Sequence, residues 1–132
     1  MKIEHIGIAV ASLDEAAITY RDGLGLEITH YEDVPDDGAR VAMIPMGESR
    51  IELIESTRTN SPIDRFLRKR GPGLHHIAIE VDDIDQTLER LRAGGARLVD
   101  ETPRAGAGGT RIAFLHPSSA GGVLLELVEH GK

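Results

Sequence analysis

One phrase occurs twice in this chain, and it limits the fold more than any other feature. The first copy reads His5-Ile6-Gly7-Ile8-Ala9-Val10-Ala11-Ser12-Leu13-Asp14. The second reads His76-Ile77-Ala78-Ile79-Glu80-Val81-Asp82-Asp83-Ile84-Asp85, with His76 lying 71 residues after His5. The same offset places Gly94 on Gly23 and Arg111-Ile112-Ala113-Phe114-Leu115 on Arg40-Val41-Ala42-Met43-Ile44. It then grows to 74, where Glu126-Leu127-Val128-Glu129 falls on Glu52-Leu53-Ile54-Glu55. Three extra residues in the last turn of the second copy, around Pro117 to Gly122, account for the slip. A chain that repeats at this period is built from two copies of one supersecondary unit.

Each copy reads as a strand, a helix and three strands. Residues 2–10 are β-rich. Ser12 suits an N-cap, with Asp14 and Glu15 at the positive end of a helix that runs to about Asp22 and stops at Gly23. Asp83 caps the corresponding helix, which carries Leu88 and Leu91 on one face and ends at Gly94-Gly95. Strands are expected at residues 26–33, 39–45 and 49–55, and again at 97–100, 110–115 and 122–129. Pro35-Asp36-Asp37-Gly38 marks a turn. Ser61-Pro62-Ile63 opens a linking helix that ends before Gly71-Pro72-Gly73. The expected fold is α+β, with two tandem βαβββ modules at about 1–58 and 73–132 and the linker helix at about 61–70. Each module is expected to form a four-stranded antiparallel sheet with a helix on one face. The two sheets together would make an open barrel around a metal-containing cleft, all within one 132-residue domain.

Strand side chains alternate between faces. His5, Gly7 and Ala9 therefore share one face, and Ile6, Ile8 and Val10 the other, which belongs against the helix. In the second copy His76, Ala78 and Glu80 share the face away from the helix. Glu52 alternates with Ile51 and Leu53, and Glu126 with Leu125 and Leu127. His5, Glu52, His76 and Glu126 thus form two repeat-related pairs, and two imidazoles with two carboxylates suit a divalent first-row metal. A histidine at a strand start is more often a polar edge residue, and His30, His75, His116 and His130 keep that reading. Glu27, Glu55, Glu80 and Glu129 fit a solvated sheet face. Pairing by the repeat distinguishes the four candidates.

The composition removes whole classes of function. A net charge of −7 disfavours a general nucleic-acid binder. With no cysteine, a disulfide framework, a thiolate zinc site and a cysteine nucleophile are all impossible. No run approaches the roughly 18 apolar residues of a membrane span, and no signal-peptide pattern precedes the first strand. A soluble cytoplasmic protein is expected.

The paired modules, the histidine and glutamate positions and several longer segments resemble the vicinal oxygen chelate superfamily. Within it, the resemblance is to the methylmalonyl-CoA epimerase family. The most specific matches are the Ser61-Pro62-Ile63 helix start and the hairpin from Gly106-Ala107-Gly108-Gly109 through Thr110-Arg111-Ile112-Ala113-Phe114-Leu115 to His116-Pro117. The resemblance implies metal ligation by His5, His76 and Glu126, with a further ligand at Glu52. It implies a divalent cofactor, Co2+ first, with Mn2+, Ni2+ or Zn2+ as alternatives. It also implies interconversion of (R)- and (S)-methylmalonyl-CoA through an enolate. Two edge-exposed half-barrels, in turn, suggest a homodimer. Some members carry a second base, a Glu on the strand matching residues 40–44, where this chain has no acid. Glu126 and Glu52 are the candidate proton-transfer groups, and a water relay is an alternative. Arg65, Arg68, Lys69, Arg70, Arg104 and Arg111 are candidates for the CoA tail. The rival readings are a glyoxalase I-type lactoylglutathione lyase, an extradiol-type dioxygenase and a metal-free module that binds a small ligand.

Overall fold

A strand, a helix and a three-strand meander recur in this chain, and the computed structural model describes them over residues 1–131. Lys132, the last residue of the expected second module, lies outside the described residues. The fold is mixed α+β, as the repeat predicts. The elements are β1 (Lys2–Ala9), α1 (Leu13–Ala17), β2 (His30–Val34), β3 (Ala39–Met46), β4 (Ser49–Ser56), α2 (Pro62–Arg70), β5 (Gly73–Glu80), α3 (Ile84–Ala93), β6 (Arg104–Ala105), β7 (Arg111–Leu115) and β8 (Leu125–Glu129). They divide into two compact units. One is Ile6–His75; the other joins Met1–His5 to the segment from His76 onward.

In the Ile6–His75 unit the strand order is β2-β3-β4-β1. β2, β3 and β4 form an antiparallel meander. Residues Ile6 to Ala9 of β1 lie parallel to β4, with Gly7 opposite Glu52. The sequence reading expected only antiparallel pairs. The parallel pair arises because α1 carries the chain back along the sheet before the meander begins, and parallel neighbours need such a crossover. Ser12 caps α1 by accepting the Glu15 N–H at 3.3 Å. The helix passes into a π-helical segment, Ile18–Gly23. Val10, Leu13, Ala42, Ile44 and Leu53 form the buried cluster beneath it, with Ile8, Ala16, Tyr20 and Ile51 packed around them. The branched face of β1 therefore meets the helix, as its alternation predicts.

The second unit repeats this plan in the order β5-β8-β7-β6. β5 is parallel to β8, and Glu126 has Ala78 of β5 on one side and Phe114 of β7 on the other. Gly7 opposite Glu52 and Ala78 opposite Glu126 are repeat-equivalent pairings, so both carboxylates sit beside a small side chain. Asp83 caps α3 through the Gln86 N–H at 3.0 Å. Val81, Ile84, Leu88, Ala113 and Leu127 form the core under α3. Ala78, Ile112 and Val128 cluster separately, with Phe114 packed against them.

Three expected strands are shorter or displaced. Residues 24–29 are not strand, although Leu26 and Ile28 still pack on the core. Residues 97–100 make only an isolated bridge, Leu98 to Leu115, and the outer strand is the two-residue β6. The Asp100 carboxylate accepts the Phe114 N–H at 2.8 Å, occupying a donor that a continuing strand would have used. β8 begins only at Leu125, because Gly121 and Gly122 adopt positive φ in the preceding turn. α2 forms as its N-terminal signals predict: Ser61 is fully buried and accepts the Asp64 N–H at 3.0 Å. Among the described residues, no helix is long and apolar enough to cross a membrane.

Candidate metal centre

His5 lies on β1, His76 on β5 and Glu126 on β8, all in the unit that joins Met1–His5 to the segment from His76 onward. Their side chains converge. The two Nε2 atoms are 2.9 Å apart. Glu126 Oε1 is 2.9 Å from His76 Nε2 and 3.3 Å from His5 Nε2. The three residues are 3%, 4% and 6% exposed, which leaves bulk water little access to the donor atoms. Burial pushes the Glu126 carboxyl upward, but hydrogen bonds from the His5 and His76 rings outweigh it and hold the group down to about 2. Glu126 is therefore an anion at neutral pH. Two imidazole nitrogens and one carboxylate oxygen, aimed at one point, are a donor set that fits a divalent first-row cation.

The ring of His76 is held from the side. Phe114 meets it edge-on at 5.6 Å between centroids. Arg104 lies over the other part of this stack, 5.6 Å from the Phe114 ring, with its guanidinium 3.2 Å from Asp100. The position of Phe114 opposite Glu126 in the β7–β8 register puts an aromatic wall beside the cluster.

Glu52 belongs to the Ile6–His75 unit. It is buried on β4, and its carboxylate takes two contacts from Arg50, at 3.1 and 3.0 Å. The structure thus brings three of the four predicted site residues together within one unit, and Glu52 is a residue of the other.

Glu4, absent from the predicted set, contacts His5, and His130 and Glu80 lie beyond it. Glu4 is 5% exposed, and its Oε1 lies 2.6 Å from His5 Nδ1. Its other oxygen is 2.7 Å from His130 Nε2, which is also 3.4 Å from Glu80. The repeat could not flag Glu4, since the residue before the second phrase is His75. The other histidines have structural partners: His75 packs edge-on against Phe66, and His116 accepts the Ser118 N–H at 3.0 Å. Glu55 and Glu129, expected on a solvated face, instead accept the backbone N–H of Leu13 and of Ile84 at 2.8 and 2.9 Å.

The candidate basic residues divide by partner. Arg111 pairs with Asp85 and Glu129, both at 3.1 Å. Arg68 pairs with Asp64 at 2.8 Å, and Arg65 donates to the Asn60 carbonyl at 3.0 Å. Arg68, Lys69 and Arg70 crowd the last turn of α2.

A paired-module α+β chain with a buried His, His, Glu cluster defines a class, and the family model for the glyoxalase/bleomycin resistance protein/dioxygenase superfamily matches residues 4–114. The chain belongs to that superfamily. The ethylmalonyl-CoA/methylmalonyl-CoA epimerase of Cereibacter sphaeroides is 41% identical over 128 residues, covering 96% of each chain. The crystal structure of methylmalonyl-CoA epimerase from Mycobacterium tuberculosis is 45% identical with a TM-score of 0.93, covering 98% of this chain and 88% of that one. A methylmalonyl-CoA epimerase solved in complex with methylmalonyl-CoA and NH4+ is 40% identical with a TM-score of 0.94, covering 98% and 94%.

Proposed function

We infer that this chain is an isomerase that interconverts (R)- and (S)-methylmalonyl-CoA. The observation that carries the reading is the convergence of His5 Nε2, His76 Nε2 and Glu126 Oε1 within 3.3 Å of one another. Epimerases of about 40% identity over nearly the whole chain support the choice of substrate.

The reaction breaks the C–H bond at the α-carbon, moves its electron pair into the thioester carbonyl as an enolate, and returns a proton to the opposite face. His5, His76 and Glu126 would hold a divalent metal, with Co2+ the first candidate. Such an ion supplies Lewis-acid stabilisation for negative charge developing on a carbonyl oxygen. The burial of all three side chains excludes water from the donor atoms. Proton exchange on two faces needs two groups, or one group and a water. Glu126 is proposed as a ligand and one proton-transfer group. Glu52 is proposed, on the repeat and the family resemblance, as the further ligand or the second proton-transfer group. Val41, Met43 and their neighbours on β3 offer no acid for that task. The cationic last turn of α2, with Arg68, Lys69 and Arg70, is the proposed contact for CoA phosphates. A cytoplasmic homodimer is the proposed state in the cell.

Deuterium wash-in at the α-carbon of methylmalonyl-CoA, with and without added Co2+, tests the reading. Metal-dependent exchange is expected. Its absence, or faster turnover of the glutathione hemithioacetal of methylglyoxal, would give the site to different chemistry.

A further inference from the structure

Glu4 is a buried carboxylate with both oxygens in use. Oε1 meets His5 Nδ1 at 2.6 Å, and Oε2 meets His130 Nε2 at 2.7 Å. His130, with its side chain 42% exposed, also approaches Glu80 at 3.4 Å. The short contact to His5 has a chemical consequence. An ionised carboxylate only accepts hydrogen bonds. The His5 Nδ1 that faces it must therefore carry the proton. The other nitrogen, Nε2, is the atom turned toward His76 Nε2 and Glu126 Oε1, and it is the one left to give up its proton to an incoming cation.

We propose that Glu4 is a positioning residue for cation binding, which holds a proton on His5 Nδ1 and so makes Nε2 the nitrogen presented to the centre. His130 and Glu80 hold Glu4 in place from its other side. The proposal rests on reading the His5, His76, Glu126 cluster as a cation site. Carboxylates that orient ligand histidines change metal affinity by roughly 10–100-fold when removed, and their negative charge makes the ring a stronger donor.

Two measurements test it. The first is long-range 1H–15N NMR of the histidine rings in chelator-treated wild-type protein. It should show His5 protonated at Nδ1; a bare Nδ1 overturns the proposal without any variant. The second is calorimetric titration of the cation-free protein with Co2+. Glu4→Ala should bind roughly 10–100-fold more weakly than wild type and lose the fixed Nδ1 proton. Glu4→Gln keeps an acceptor and should retain that proton with an intermediate affinity, which separates orientation from loss of fold. Unchanged Co2+ affinity and Nδ1 protonation in Glu4→Ala would overturn this proposal alone. Failure of the wild type to take up Co2+ would remove the cation reading and this proposal with it.

Discussion

Replacing Glu126 with Gln should flatten the acid limb of the stability profile of the cation-free protein. The Glu126 carboxyl is held from an ordinary 4.5 down to about 2 by hydrogen bonds from two histidine rings. In the unfolded chain it regains its ordinary value. Above about pH 4.5 both states are ionised there, and the contribution to stability is complete. Between about 4.5 and 2 the unfolded chain takes up a proton that the folded chain resists, so stability falls as the pH falls. At roughly 1.4 kcal/mol for each pH unit between the two values, the loss is about 3 kcal/mol. Urea titrations in the presence of chelator, from pH 7 to pH 2, measure it directly. With a slope of about 2 kcal/mol per molar urea, the wild-type midpoint should drop by about 1.5 M more than that of Glu126→Gln over this window. The comparison cancels the titration of groups that Glu126 does not touch. A wild-type curve that runs parallel to the variant's would show that the histidine rings do not hold this carboxylate, and the geometry of the centre would have to be redrawn.

His76→Ala should abolish stoichiometric uptake of divalent metal, read by elemental analysis after equilibration with Co2+, because it removes the nitrogen closest to Glu126 Oε1. Glu52→Gln should lose α-proton exchange while binding Co2+ if this carboxylate moves the proton, and should lose both if it is a ligand; wild-type exchange with wild-type metal content would remove Glu52 from the site. Ser61→Ala deletes a fully buried helix cap and should cost about 1 kcal/mol, seen as a fall of about 4 °C in Tm by calorimetry. Gly106→Ala would put a methyl group 2.6 Å from Ile112 Cγ2 and 2.7 Å from Thr110 Oγ1, so a loss of about 1–3 kcal/mol is expected in chemical denaturation.

The repeat made much of this legible. It paired His5 with His76 and Glu52 with Glu126, and strand alternation put Ile8 and Val10 under α1. What it could not supply came from interactions that have no period. Glu4 precedes His5 in β1, so alternation assigns it to the opposite face; only the length of its side chain lets the carboxylate reach the His5 ring. His130 follows the last repeated segment and had no partner phrase to raise it above an edge residue. The parallel pairing of β1 with β4 depends on where α1 returns the chain, a choice made by packing. The displaced outer strand beside β7 turns on the Asp100 carboxylate taking a backbone N–H, which hydrophobic patterning does not record.

The contacts of Glu55 with Leu13 and of Glu129 with Ile84 act as clasps, each closing one copy of the module into a ring from the start of its helix to the end of its last strand. The first ring spans 42 residues and the second 45. The three added residues of the second copy therefore lie inside a closed ring, and the clasp is unmoved. Lengthening a ring by that fraction costs less than roughly 0.1 kcal/mol in closure entropy. Length can thus change in the turns of one copy without disturbing the alignment of its last strand, which carries Glu52 in the first copy and Glu126 in the second. Such a construction lets duplicated halves diverge at their rims while the chemistry-bearing strands stay in register.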